Sequence, residues 1–216
     1  MFVNLARRAE ENEIMDDLSE PVDEFAAAYR ELELINRWLG GVRAIQRFVP
    51  HESSLLILDI AAGACDIGDT LVQRLRCTIV ALDLNAKGLK RSRNVLPVVG
   101  DALHLPFRDN SFDVVMSSLF FHHLPTESCV RVLEQMWGIA KRIVIVNDLH
   151  RHAIAYFSIR ALTRMFSRSR MVRHDAPVSV RRAFRPMELQ HIASQAGIPA
   201  EIHRSFPYRL VLVARK

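Results

Sequence analysis

The chain predicts an α/β fold, a mostly parallel sheet with helices on both faces, preceded by an N-terminal helical extension. Three observations carry that expectation. Strand-length apolar runs alternate with helix-length patterns from about residue 53 onward, the order that builds a parallel sheet through helical crossovers. The first run, residues 55–58, is bare of polar side chains, as a central strand covered on both faces requires. It ends in Asp59, and the small residues Ala61, Ala62, Gly63 and Ala64 then let the backbone turn sharply into a helix starting near Asp66. Such a strand, turn and helix make a nucleotide-type cofactor cradle.

The charge of the cradle bears on its ligand. A dinucleotide site rests pyrophosphate on the helix N-terminus, where free N–H groups and the positive end of the dipole favour an anion. This turn has no full G-x-G-x-x-G and puts Asp66 at the helix start, where a carboxylate repels pyrophosphate and suits a cation. Asp is also a favoured N-cap, so a purely structural role for Asp66 stays open.

Ahead of the core, residues 1–50 read as helical. Pro21 suits a first helical position, and Phe25, Tyr29, Leu32, Ile35 and Leu39 recur at three- and four-residue spacing, a stripe that must pack on something. Gly40 and Gly41 stop this helix, a second short one is expected over 42–48, and Pro50 marks the join. The arm reads either as a cap over one edge of the sheet or as a lid that closes the acceptor pocket.

Within the core at 51–216, a helix over 70–75 follows the cradle and a second strand over 77–82 ends in Asp83, twenty residues after Gly63. An acid at that offset accepts hydrogen bonds from paired ribose hydroxyls. A third strand is expected over 96–100. The run DNSFDVVMS at 109–117 reads as a turn and a fourth buried strand, and a helix over 127–138 leads to a fifth strand over 142–146. Ligands of open parallel sheets sit at the carboxyl ends of strands, so Ser117, Ser118, Leu119, His122 and His123 border the cofactor and acceptor. Asn147, Asp148, Leu149 and His150 emerge on the same side.

Residues 151–175 form a helical insertion. The stretch 153–157 is apolar nearly all round, and Ile159, Leu162, Met165 and Phe166 continue it with Arg160, Arg164 and Arg168 interleaved. It reads as a substrate cover, or over 151–170 as a peripheral membrane contact meeting anionic lipid. The run RMVRHD at 170–175 is either a meeting point for an anionic acceptor or a solvated basic loop. Pro186 opens a helix that ends at Gly197, and strands over 198–202 and 208–214 close the chain. Arg181, Arg182 and Phe184 are candidate acceptor contacts by position alone.

Composition narrows the class. Half of the 216 residues are hydrophobic, enough for one core with a modest extension. The formal net charge of +5 is concentrated between residues 151 and 185, a local rather than a general basic surface. Cys65, Cys77 and Cys129 are odd in number and show no C-x-x-C spacing, which argues for free thiols in a reducing compartment and a cytoplasmic location. No apolar run approaches the roughly 20 residues that span a bilayer, and the N-terminus is too charged for a signal peptide. No carboxylate or cysteine lies at ligand spacing from His122 and His123, so no metal is expected. The two imidazoles and Asp148 are instead candidate acid–base groups.

At the cradle the chain resembles the class I S-adenosylmethionine (SAM)-dependent methyltransferases. Their first motif, an acidic residue followed by alternating glycines, stands here as Asp59, Ala61, Gly63 and Cys65, so two of three glycine positions hold other residues. Later signposts arrive in order: Leu84 and Asn85 after Asp83, then GDALHLPF with Asp101 and Ala102, then Asp-x-Ser-Phe-Asp before the fourth strand. The similarity spans about residues 53–216. It implies a Rossmann-like seven-stranded mostly parallel sheet, with an antiparallel hairpin at one edge, and SAM as cofactor. It further implies a cofactor-binding set of Asp59, Ala61, Gly63, Cys65, Asp83, Leu84, Asp101, Ala102, Ser118 and Leu119. The Asn/Asp-Pro-Pro-aromatic tetrad of exocyclic-amine methyltransferases is absent where SSLFFHHLP stands, which argues against methylation of nucleic-acid amino groups.

The expected activity is methyl transfer from SAM to an oxygen, or an activated carbon, of a small apolar aromatic, quinone-like or polyketide acceptor, as in secondary metabolism. SAM brings an electrophilic methyl group, so the protein need only align the acceptor and remove a proton where one remains. A nicotinamide-dependent oxidoreductase is opposed by the missing glycine and by Asp66. A non-catalytic SAM-binding protein is opposed by the apolar insertion, and an RNA methyltransferase stays open.

Overall fold

The computed structural model describes residues 3–17 and 19–216. Seven strands form one sheet in the order β3-β2-β1-β4-β5-β7-β6: β1 (Leu56–Ile60), β2 (Thr78–Asp83), β3 (Leu96–Val99), β4 (Phe112–Ser118), β5 (Ala140–Leu149), β6 (Ala200–Ser205) and β7 (Arg209–Arg215). The first five run parallel, and β7 runs antiparallel between β5 and β6. Successive crossovers step from β1 out to β3 and then restart beside β1 at β4. This reversal creates a crevice at the carboxyl ends of β1 and β4, where open α/β sheets take their ligands.

Bare apolar runs become central strands because both faces are covered. On one face Leu58, Ile60, Val115, Val144 and Val146 pack against α5 (Thr126–Ile139) and α8 (Pro186–Gln195) through Val132, Leu133, Met136, Leu189 and Ile192. On the other, Ile57, Ile79, Val114, Ile145, Val211 and Val213 meet α2 (Gly41–Gln46) and α3 (Asp66–Leu75) through Ala44, Ile45, Ile67 and Leu71. Period-two alternation therefore survives inside each strand, hidden because both faces are apolar.

A third, smaller cluster lies outside the sheet. The stripe of α1 (Val22–Trp38) packs Phe25, Ala28 and Tyr29 on Met171 and Val172 of α7 (Arg170–Arg182). Glu31 ties the same pair together, its carboxylate accepting from the backbone N–H groups of Arg168 at 2.9 Å and Ser169 at 3.1 Å at the start of α7. No helix among the described residues is long and apolar enough to cross a membrane.

Two expectations are corrected. Residues 3–17 and 19–21 are not helical apart from a 3-10 turn at Ile14–Asp16. This polar segment has no apolar period and is held by side chains: Arg8 donates to the carbonyls of Arg182 at 2.7 Å, Leu124 at 2.9 Å and His122 at 3.1 Å, and Asp175 accepts from the N–H groups of Ile14 at 2.8 Å and Met15 at 3.0 Å. The insertion also runs further than 175. After α6 (Ala153–Phe166), RMVRHD is the first half of α7 rather than a loop, with the Ser169 hydroxyl capping the helix. In the central sheet, Ile145 is fully buried, and Ile145→Ala should lower unfolding free energy by about 2–5 kcal/mol. Urea unfolding would read this as a lower midpoint at unchanged slope.

Candidate active site

A cavity of about 640 Å³ opens at the carboxyl ends of β1, β2 and β4, floored by the cradle and covered by α1, α6, α7 and the 3-10 turn at Ile14–Asp16. The predicted residues Asp59, Ala61, Gly63, Asp83, Leu84, Asp101, Ala102, Ser118, Leu119, His122 and His123 all line it. Two others do not. Cys65 is buried in the sheet core, and Asp148 is fully buried behind His122, so neither side chain faces the cavity.

The cradle explains its own sequence. Ala61, Gly63 and Cys65 all take the left-handed conformation, with φ of 56°, 54° and 62°. Glycine suits such positions, and Ala61 and Cys65 hold them at a cost of roughly 1–2 kcal/mol each. Cys65 thus belongs to the cradle through its backbone, not its thiol. A side chain at Gly88, in α4 (Ala86–Leu89), would overlap the carbonyl oxygen of Gly63, so the turn also depends on close backbone approach.

Three carboxylates sit in this cradle. Burial pushes Asp59 well above the usual carboxylate range, and its neighbours Asp66 and Asp83 push the same way. Asp59 receives no hydrogen bond from the described residues. Burial also raises Asp66, although Asn36 of α1 donates to it at 3.2 Å. Asp83 is raised by burial too, while its two oxygens are fixed by the N–H groups of Gly63 at 2.8 Å and Asn85 at 2.7 Å. Tyr29 stands over this corner with its hydroxyl 3.3 Å from the Asn85 amide, its pKa pushed up to about 12 by burial and by Asp83. The α1 stripe was legible as apolar, but nothing in the sequence marked Tyr29 as a site residue.

At the other end of the cavity His122 and His123 meet acids from distant segments. Nδ1 of His122 lies 2.7 Å from Asp148, and its Nε2 lies 3.5 Å from Glu13. Burial opposes a charge on this ring, but Asp148 and Glu13 outweigh it and lift the pKa to about 9. Nδ1 of His123 lies 2.7 Å from Asp16, and its Nε2 lies 3.9 Å from Glu13. Burial opposes ionisation of Asp16, yet His123 and Arg182 hold it well below the carboxylate range. Arg182 makes an ion pair with Asp16 at 2.7 Å and donates to the carbonyls of both histidines, so it positions the turn rather than touching the cavity. Phe184 is buried beneath Arg8. Glu13 and Asp16 precede the histidines by more than a hundred residues, and local spacing held no signal for them.

Residues 57–142 match the family model of a methyltransferase domain. The demethylmenaquinone methyltransferase of Thermobifida fusca (strain YX) is 28% identical over 159 residues, spanning 66% of this chain and 66% of the relative. Among solved structures, a SAM-dependent methyltransferase from Aquifex aeolicus superposes with a TM-score of 0.65 at 15% identity, covering 91% of this chain and 99% of its own. The magnesium protoporphyrin IX methyltransferase of Synechocystis PCC 6803 with bound SAH does so with a TM-score of 0.52 at 14% identity, covering 98% and 90%. Together these likenesses support a class I SAM-dependent methyltransferase.

SAM is the cofactor of such a methyltransferase, and the residues present fit it. A sulfonium and an ammonium suit a cradle of one buried and two half-buried carboxylates with no ion-pair partner among the described residues, and two ribose hydroxyls suit one backbone-fixed acid. The methyltransferase-domain match sets the nicotinamide reading aside.

The carboxylates also make a stability statement. Burial keeps protons on Asp59, Asp66 and Asp83 to higher pH in the folded than in the unfolded chain, so the folded state binds more protons. Stability from these groups therefore falls as pH rises from about 4, the unfolded carboxylate value, through the raised folded values. Without cofactor, Asp59→Asn should be more stable than the parent at about pH 8 and lose that advantage toward about pH 4. Urea midpoints across that range measure it, and parallel curves would contradict it.

Proposed function

We propose that this methyltransferase carries the methyl group of SAM to an oxygen, or an activated carbon, of a small apolar, quinone-like acceptor. The observation that carries the reading is the composition of the cavity beyond the cradle. Leu32, Ile159, Leu162, Val172, Val180 and Phe206 line that end, an apolar enclosure suited to a flat hydrophobic molecule. The likeness to a demethylmenaquinone methyltransferase points the same way.

In this reading Asp83 accepts from the ribose hydroxyls, Asp101 and Ala102 flank adenine with Leu84 at its edge, and Asp59 and Gly63 shape the methionine end beside Ser118 and Leu119. Asp101 is half exposed and already accepts from the Leu103 N–H at 2.8 Å, which fixes its orientation. SAM supplies the electrophilic methyl when bound. The protein then holds the acceptor in line and excludes water with α1, α6 and α7. His123, its Nδ1 held by Asp16, offers Nε2 to an acceptor hydroxyl.

The outer surface of α6 extends the apolar path outward. Ile154, Phe157, Met165 and Phe166 are exposed, with Arg160, Arg164 and Arg168 between them, and Phe206 is exposed beside the cavity. An apolar face ringed by guanidinium groups suits the surface of an anionic bilayer, from which a hydrophobic acceptor would be drawn.

Calorimetry with SAM, followed by a methyl-transfer assay on reduced menadione and related hydroquinones, tests the reading. Binding without transfer to any hydroquinone or phenol would refute the acceptor class. Asp83→Ala should weaken SAM by the 1.5–3 kcal/mol of a charge-assisted hydrogen bond, about 10- to 150-fold in Kd; unchanged affinity would remove Asp83 from the ribose. The full chain should cosediment with phosphatidylglycerol vesicles more than with phosphatidylcholine vesicles. Met165→Glu with Phe157→Glu should abolish the difference while SAM affinity stays unchanged.

A further inference from the structure

We propose that Glu13, His122 and His123 form a binding site for a divalent transition-metal ion, with an open coordination position facing the acceptor end of the cavity. One ligand atom from each lies within 4.8 Å of the other two. Oε1 of Glu13 lies 3.5 Å from Nε2 of His122, and its Oε2 lies 3.9 Å from Nε2 of His123. Nitrogen and oxygen ligands about 2.1 Å from one zinc stand roughly 3.4 Å apart in a tetrahedron, so closing on an ion draws the three groups in from separations of up to 4.8 Å.

The surroundings match those of metal-bound histidines. A ligating imidazole donates its other N–H to a carboxylate, which fixes the tautomer and turns the lone pair on the remote nitrogen toward the metal. Both rings have that arrangement, with Nδ1 2.7 Å from Asp148 in one and 2.7 Å from Asp16 in the other. Each Nε2 is thereby directed at the same carboxylate.

Glu13 supplies a second, independent observation. Its side chain is 4% exposed, and its buried Oε1 takes part in no hydrogen bond. A buried carboxylate oxygen without a partner is costly. A proton on His122 would answer one of the two imidazoles, whereas a dication answers both at once. The local charge agrees: Glu13, Asp16 and Asp148 outnumber the guanidinium of Arg182, which is committed to Asp16. Arg8 adds a second positive charge, directed at the carbonyls of His122 and Leu124.

Two imidazoles and one carboxylate suit zinc, cobalt, manganese or ferrous iron, and leave at least one position free. All three residues line the cavity, so an acceptor arriving as its phenolate would place its oxygen there, replacing the direct contact with His123. That last step rests on the acceptor proposed above; the metal site does not.

The full chain, purified without chelator and then stripped, should bind one Zn2+ by calorimetry and develop a visible d–d band with Co2+. Glu13→Gln and His123→Ala should each weaken Zn2+ by about 100-fold or more, and Asp16→Asn by about 10- to 100-fold. His191→Ala, an exposed histidine on α8, should leave it unchanged. SAM binding by each variant reports that the fold is intact. Neither heat nor absorption with Zn2+ or Co2+, or a Glu13→Gln variant that binds Zn2+ as tightly as the parent, overturns the site. Metal binding with no transfer to a hydroquinone would instead overturn the acceptor reading and leave the site standing.

Discussion

The parallel register of β1 and β2 brings acids together in a place with little water to solvate them. Asp59 pairs with Ala81 in that register and Asp83 closes β2 just beyond it, while the cradle returns Asp66 at the start of α3. Asp66 and Asp83 raise the cost of charging Asp59, and burial raises it for all three, with α1 covering the crevice. A fold without a ligand gains nothing from this arrangement. A cationic ligand reverses the sign, because every unit by which burial disfavours the carboxylate becomes attraction once a positive group enters a low-dielectric cleft. The cradle backbone, strained at Ala61 and Cys65, is the other half of the same investment: local instability placed where a ligand makes contact.

Much of this was legible because it rests on local rules. The strand–turn–helix of the cradle, the acid ending β2 and the mostly parallel character of the sheet follow from apolar runs, small residues and offsets within about thirty residues of one another. Element edges moved by one to three residues, as at β5, which extends to Leu149 where the sequence reading stopped at 146. The pairing of Asp148 with Leu210 across the antiparallel ladder explains the extension, since β7 supplies backbone partners that the sequence of β5 does not reveal. Cys65 shows a different limit. A motif position says where the backbone must go, and its side chain points wherever the left-handed residue sends it, here into the core.

What was hidden depends on contacts between remote segments. Glu13 and Asp16 look like ordinary surface acids in a polar stretch, and only the grip of Asp175 and Arg182 brings them to the histidines. Tyr29 is one apolar ring among several until Asn85 and Asp83 define what lies below it. The run RMVRHD resembled a loop because its apolar members, Met171 and Val172, find their partners on α1 rather than on the sheet. Pattern rules assume a sheet as the partner, and this helix has none.

The acceptor end is therefore a structural unit with its own small core. Phe25, Ala28, Tyr29, Met171 and Val172 are separate from both sheet clusters, and the unit is joined to the core largely through polar contacts: Arg8 and Arg182 on the histidine turn, and Arg209 on the end of α1. Polar contacts of this kind are individually worth about 1 kcal/mol, whereas each buried core side chain is worth several times that on truncation. The two ends of the cavity therefore rest largely on different clusters, with Ala64 of the cradle packed against that of the cover.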